Sequence, residues 1–178
     1  VISYIGNRPA IQIGTHQVFD YDTAWLEDAL RRAARAADHE DFPLIPEIRN
    51  GVELYLENQC ALRLLQLEDL FERMRKMLVK IGCERIAEKL EPLAPPLTVS
   101  LVAAARSAGN GFELAFFETI RAELSLLREA GAEDIRFTGL RESAMILRGK
   151  TKWNRQCDAM LAEITAFLNS AGTMCVGA

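Results

Sequence analysis

Apolar positions recur at helical spacing over most of this chain, and the pattern divides it into elements. Trp25, Leu26, Ala29, Leu30, Ala33, Ala34 and Ala37 form one stripe, which predicts a helix over 23–37 with Asp22 as its cap. Ile45, Ile48, Val52, Tyr55 and Leu56 predict a second helix over 46–57, with Pro46 in its first turn. Leu67, Leu70, Phe71, Met74, Leu78 and Ile81 predict a third over 67–81, closed by Gly82, and residues 84–90 a short fourth. Ahead of them, Ile2, Tyr4, Ile11, Ile13 and Val18 are strand formers. They predict a β-hairpin within 1–18, turning either at Gly6-Asn7-Arg8-Pro9 or, for a hairpin that begins near Ala10, between Ile13 and Val18.

Glu91-Pro92-Leu93-Ala94-Pro95-Pro96 interrupts this rhythm, because adjacent prolines cannot continue a helix. We read 1–91 as one domain, 92–96 as a linker, 97–170 as a second domain and 171–178 as a loose tail. In the second domain the apolar run 97–105 predicts a buried strand. Residues 107–111 predict a loop, and 112–130 a helix with Leu114, Phe117, Ile120, Leu124 and Leu127 inside. Residues 135–138 and 143–147 predict two strands about Gly139. A last helix over 153–169 turns Trp153, Cys157, Met160, Leu161, Ile164, Phe167 and Leu168 inward. The fold class is α+β: a hairpin with four helices, then a small β-α-β-β-α unit on a sheet containing antiparallel strands.

The first half resembles the ATP-cone, a small regulatory nucleotide-binding domain. The likeness covers residues 11–90: a hairpin running into Phe19-Asp20, an amphipathic helix, then Gly51-Val52-Glu53-Leu54-Tyr55-Leu56. A helix opening on Leu67-Glu68-Asp69-Leu70 follows, and a short one carries Ile86-Ala87. Where the family carries a basic pair in its hairpin, Gln12-Ile13-Gly14-Thr15-His16 has neither Lys nor Arg. The resemblance implies a cone-like fold and a regulatory pocket for ATP, dATP or a related ligand beside the hairpin. Gln12, Thr15, His16 and Phe19 are the candidate pocket residues.

Charge and chemistry narrow the rest. Twenty-one Lys and Arg against 25 Asp and Glu leave a net charge of −4, which argues against a general nucleic-acid coat. No apolar run nears the roughly 20 residues of a membrane helix. Cysteines 60, 83, 157 and 175 have no metal or redox spacing. They are read as reduced thiols, Cys83 and Cys157 in core positions, in a cytoplasmic protein. The two histidines, His16 and His39, have no partner at i+3 or i+4, so no metal site is expected. Gly109-Asn110-Gly111 before a helix, with Lys150, Lys152 and Arg155 beside Trp153, forms a candidate anion site. Its competing reading is a plain turn and a solvated connection. No nucleophile–base pair appears, so no catalytic residue is assigned. The leading expectation is a non-catalytic regulatory module. The alternative is an interaction module that forms a homodimer without ligand.

Overall fold

In the computed structural model, residues 8–172 are described, together with the backbone of Met174–Cys175. The chain is α+β and divides into two compact units. One comprises Val1–Pro95 with Ala130–Ala132, the other Pro96–Glu129 with Glu133–Ala178. The part of the hairpin reading that rests on Ile2, Tyr4, Gly6 and Asn7 lies outside the described residues.

The first unit opens with β1 (Ala10–Ile13) and β2 (His16–Val18), an antiparallel pair with Ile11 opposite Val18 and Ile13 opposite His16. This is the hairpin that begins near Ala10. Gly14 makes its turn possible, since φ of +58° is free for glycine and strained for other residues. Four helices follow: α1 (Ala24–Ala36), α2 (Ile45–Asn58), α3 (Leu67–Lys80) and α4 (Glu84–Lys89). Between α2 and α3 the chain adds β3 (Leu64–Gln66), which pairs parallel to β1 and completes a mixed sheet of order β2-β1-β3. Sequence periodicity reads that stretch as a connection, because three residues are too few to show alternation.

Alternation then decides what the sheet buries. Ile11, Ile13, Val18 and Leu65 turn inward and are buried. Leu26, Leu30, Leu56, Phe71, Met74 and Leu78 are buried on the helices, and the Trp25 and Phe71 rings meet at 6.0 Å between centroids. A fully buried side chain of this size contributes roughly 1.5–3 kcal/mol, so these positions hold the unit together. Cys83 is half-buried at the start of α4 and is not part of this core.

The second unit departs from its predicted order. Its elements are β4 (Leu97–Ser100), α5 (Val102–Ala108), α6 (Glu113–Glu129), β5 (Ile135–Thr138), α7 (Leu140–Leu147), α8 (Arg155–Ser170) and β6 (Met174–Cys175). The sheet β4-β5-β6 is wholly parallel, with a pair of helices in each crossover. Three physical reasons account for the differences. Ala103, Ala104 and Ala105 are the strongest helix formers, so the apolar run leaves the sheet after Ser100. Leu140, Ser143, Ala144 and Leu147 are buried at i, i+3, i+4 and i+7, so 143–147 belongs to a helix that the shorter window hid. The residues read as a loose tail include β6, which pairs with the distant β5.

The helix faces also shift. On α6, Phe116 replaces Leu114 and Phe117 on the inward stripe, and Leu114 is 81% exposed. Trp153 precedes α8 and is half-exposed; Asn154 caps that helix by accepting from the backbone N–H of Gln156 at 3.0 Å and of Cys157 at 3.1 Å.

Candidate functional site

The hairpin leaves the sheet at Val18 and reaches α1 through five residues that form one wall of an open cleft. Phe19, Asp20, Tyr21, Asp22 and Thr23 line it from this side, and Arg49 and Glu53 of α2 from the other, with Arg8 at the base of the hairpin; its volume is about 530 Å³. That is within the range of small-molecule sites.

Three residues of this wall, Tyr21, Asp22 and Thr23, are held in place. The buried Tyr21 ring meets Trp25 edge-to-face at 6.5 Å, and its hydroxyl donates to the Pro9 carbonyl at 2.8 Å. Burial pushes the Tyr21 phenol up to about 12, against a smaller opposing pull from Arg8 and a further small push from Cys60. The Asp22 carboxylate accepts from the Ala24 N–H at 2.9 Å, and the Asp22 carbonyl accepts from the Trp25 indole at 2.8 Å. Thr23, rather than Asp22, stands at the helix cap position, and its side chain makes no capping bond. The hydroxyl looks across to α2, accepting from Arg49 Nε at 2.8 Å and lying 3.5 Å from a Glu53 carboxylate oxygen.

On α2 the residues Arg49, Glu53 and Glu57 recur every four positions and so share a face. Arg49 donates to Glu27 at 2.7 Å, and Arg31 holds the other Glu27 oxygen at 2.9 Å. The Arg49 hydrogen bond draws the Glu27 carboxyl below its usual range, against the opposing effect of burial. Arg8 donates through Nε to Glu57 at 3.0 Å, through Nη1 to the Tyr21 carbonyl at 3.3 Å, and through Nη2 to both Glu53 and Glu57. Both arginines are therefore already neutralised, and the cleft wall carries three carboxylates, from Asp20, Asp22 and Glu53.

Of the four expected pocket residues, Phe19 lines this cleft. Gln12 and His16 do not share a face: Gln12 stands opposite Gln17 and His16 opposite the inward Ile13. The Gln12 amide donates to the Gly14 carbonyl at 2.5 Å, and Thr15 is an exposed turn residue. The cleft residues missed by sequence reasoning are Arg8, Asp20, Tyr21, Asp22, Thr23, Arg49 and Glu53. The four-residue spacing of Arg49, Glu53 and Glu57 was the one available signal.

In the second unit the glycine loop of the expected anion site packs against Leu147 and Gly149, just before the basic segment. Gly109, at φ +84°, closes α5; the Gly111 N–H donates to the Leu147 carbonyl at 3.0 Å, and Asn110 packs against Gly149. Lys150, Lys152 and Arg155 are exposed. The neighbouring Arg148 is held by Glu113 at 3.1 Å and Glu163 at 3.8 Å. Trp153 donates to Asp158 at 2.7 Å, and the Arg141 guanidinium lies 4.1 Å from the Trp153 ring centroid. The loop N–H of Gly111 and one face of the indole are thus already occupied.

Among the described residues, no group of three or more His, Cys, Asp or Glu side chains is placed to hold a metal ion, and no helix is long and apolar enough to cross a membrane. No protein-family model matches the chain, and no curated protein and no solved structure matches it.

Proposed function

We propose that the first unit is a non-catalytic regulatory module, similar to an ATP-cone, that takes a nucleotide or a related small ligand in the cleft beside its hairpin. The observation that carries the reading is the 530 Å³ cleft itself, open where the hairpin exit meets α2. Further support comes from the order of elements, a hairpin running through Phe19-Asp20 into α1 with three more helices behind it.

The cleft chemistry says which part of such a ligand enters. Carboxylates of Asp20, Asp22 and Glu53 accept hydrogen bonds from sugar hydroxyls or an exocyclic amine, and the half-exposed Phe19 offers a ring for stacking. A polyphosphate is repelled by the same carboxylates. It reaches Arg8 or Arg49 only by displacing Glu53, Glu57 or Glu27, one anion exchanged for another. That exchange supplies the regulatory link, because Arg8 ties the base of the hairpin to α2. A ligand that takes Arg8 from its glutamates favours the arrangement in which that tie is open, by as much as its affinity differs between the two arrangements.

Calorimetric titration and thermal unfolding with ATP, dATP, AMP and adenosine test this. One site filled at 100 times Kd raises stability by about 2.7 kcal/mol. Binding that weakens in Arg8→Met and Arg49→Met supports the cleft as its seat. No shift with any of the four ligands favours the interaction module, for which the solution mass decides whether the chain pairs with itself.

A further inference from the structure

A second cavity in the same unit lies between α2 and α3, on a different face of α2 from the cleft. It has a volume of about 210 Å³ and is lined chiefly by Val52, Leu70, Met74 and Met77, with Tyr55 and Arg73 at its polar end. A dry cavity of roughly 150 Å³ holds a benzene ring, so this one accommodates a ring or a short chain with a small head group.

Two features give the cavity its chemistry. The first is an uncompensated charge. Arg75 is paired with Glu68 at 3.0 Å and Glu72 at 3.2 Å, and Lys76 with Glu72 at 3.4 Å. Arg73, on the same stretch of α3, makes no ion pair among the described residues. Its guanidinium lies 5.7 Å from the centre of the Tyr55 ring. The Tyr55 side chain stands at the same end; burial, and next its hydrogen bond with Cys60, raise its pKa against a smaller opposing pull from Arg73. The second feature is Gly51, in the interior of α2. A Cβ built there meets no atom within 4 Å, so the packing of the unit does not require glycine. A mid-helix glycine costs stability relative to alanine. Here its missing side chain leaves the wall of the cavity open.

From this cavity and its charge we propose that the α2–α3 pocket binds a small apolar carboxylic acid. The hydrocarbon part lies on Val52, Leu70, Met74 and Met77, and the carboxylate takes hydrogen bonds from Arg73 beside the Tyr55 ring. Guanidinium and carboxylate match in charge and in planar geometry, which selects this head group over a neutral one. The proposal is independent of the nucleotide reading, since it uses different residues and a different ligand.

Calorimetric titration of the full chain with hexanoate, benzoate, 1-hexanol and acetate tests it. Hexanoate and benzoate bind one per chain, hexanol at least tenfold more weakly, and acetate not at all. Arg73→Met lowers hexanoate affinity tenfold or more and leaves hexanol unchanged. Gly51→Leu abolishes binding of both while its circular dichroism stays that of the parent and its melting temperature is no lower; Gly51→Ala, a milder fill, weakens both. Acetate binding as tightly as hexanoate, an Arg73→Met chain of undiminished affinity, or no binding of either acid overturns the proposal. So does a doubled solution mass that Gly51→Leu abolishes, which assigns the groove to a second copy of the chain. Titration of Gly51→Leu with ATP separates failure here from failure of the nucleotide reading.

Discussion

Thr23 and Arg49 meet across the cleft: the threonine hydroxyl accepts from Arg49 Nε at 2.8 Å while the threonine itself is 1% exposed. Twenty-six residues separate them, and the bond joins the start of α1 to the middle of α2. Replacing Thr23 by valine keeps the shape and removes the acceptor. Hydrogen bonds to charged groups are stronger than those between neutral groups, so Thr23→Val is expected to lower the urea-unfolding midpoint. An unchanged midpoint would show that the bond does not hold the two helices.

The Tyr21 phenol sets an alkaline limit. Its pKa is about 12 in the folded chain against an ordinary value near 10, so between these values the unfolded chain releases a proton that the folded chain keeps. The stability it contributes is complete below about pH 10 and is lost as pH rises towards about 12. Phenolate absorbance is expected to show a late-titrating tyrosine that Tyr21→Phe removes, and the variant's stability falls less over that window.

Glu27 acts in the opposite direction. Its pKa is lowered chiefly by the Arg49 hydrogen bond, so its contribution is complete above the ordinary glutamate range and is lost as pH falls through the depressed value. Glu27→Gln is expected to flatten the acid limb of the unfolding curve. A parallel limb in the variant would contradict this.

Two glycines with similar backbone angles are expected to respond differently to alanine. At Gly131, φ is +92° and a Cβ would clash with the Pro92 carbonyl oxygen. At Gly82, φ is +79° and nothing lies within 4 Å. Gly82→Ala carries only the left-handed backbone cost of roughly 1–2 kcal/mol, whereas Gly131→Ala adds a clash with backbone and exceeds it. Equal losses in thermal unfolding would contradict the packing at Gly131.

Arg141 over Trp153 is a cation–π pair at a half-exposed ring. Arg141→Ala is expected to cost about 0.5–1 kcal/mol and to alter the Trp153 emission. Emission unchanged in the variant would place the guanidinium elsewhere in solution.

Much of the first unit was legible because its helices carry long stripes. Trp25 to Ala34 and Leu67 to Leu78 repeat the helical period several times, and such repeats need no knowledge of what they pack against. Legibility of the candidate site was lower. Phe19, which lines the cleft, could be named because it adjoins the hairpin, whereas Arg8, Thr23, Arg49 and Glu53 come together only through folding.

What the amino-acid order determined by itself was local: the helical faces of α1 and α3, the stop at Gly82 and the α+β composition. Tertiary structure alone decided the pairing of β3 with β1 and of β6 with β5, the parallel sense of the second sheet, and the cleft. A three-residue strand such as Leu64–Gln66 has too few positions to show a period, and its hydrogen bonds come from a partner more than fifty residues away. Distant pairing of that kind leaves no trace in the neighbouring residues from which a sequence is read.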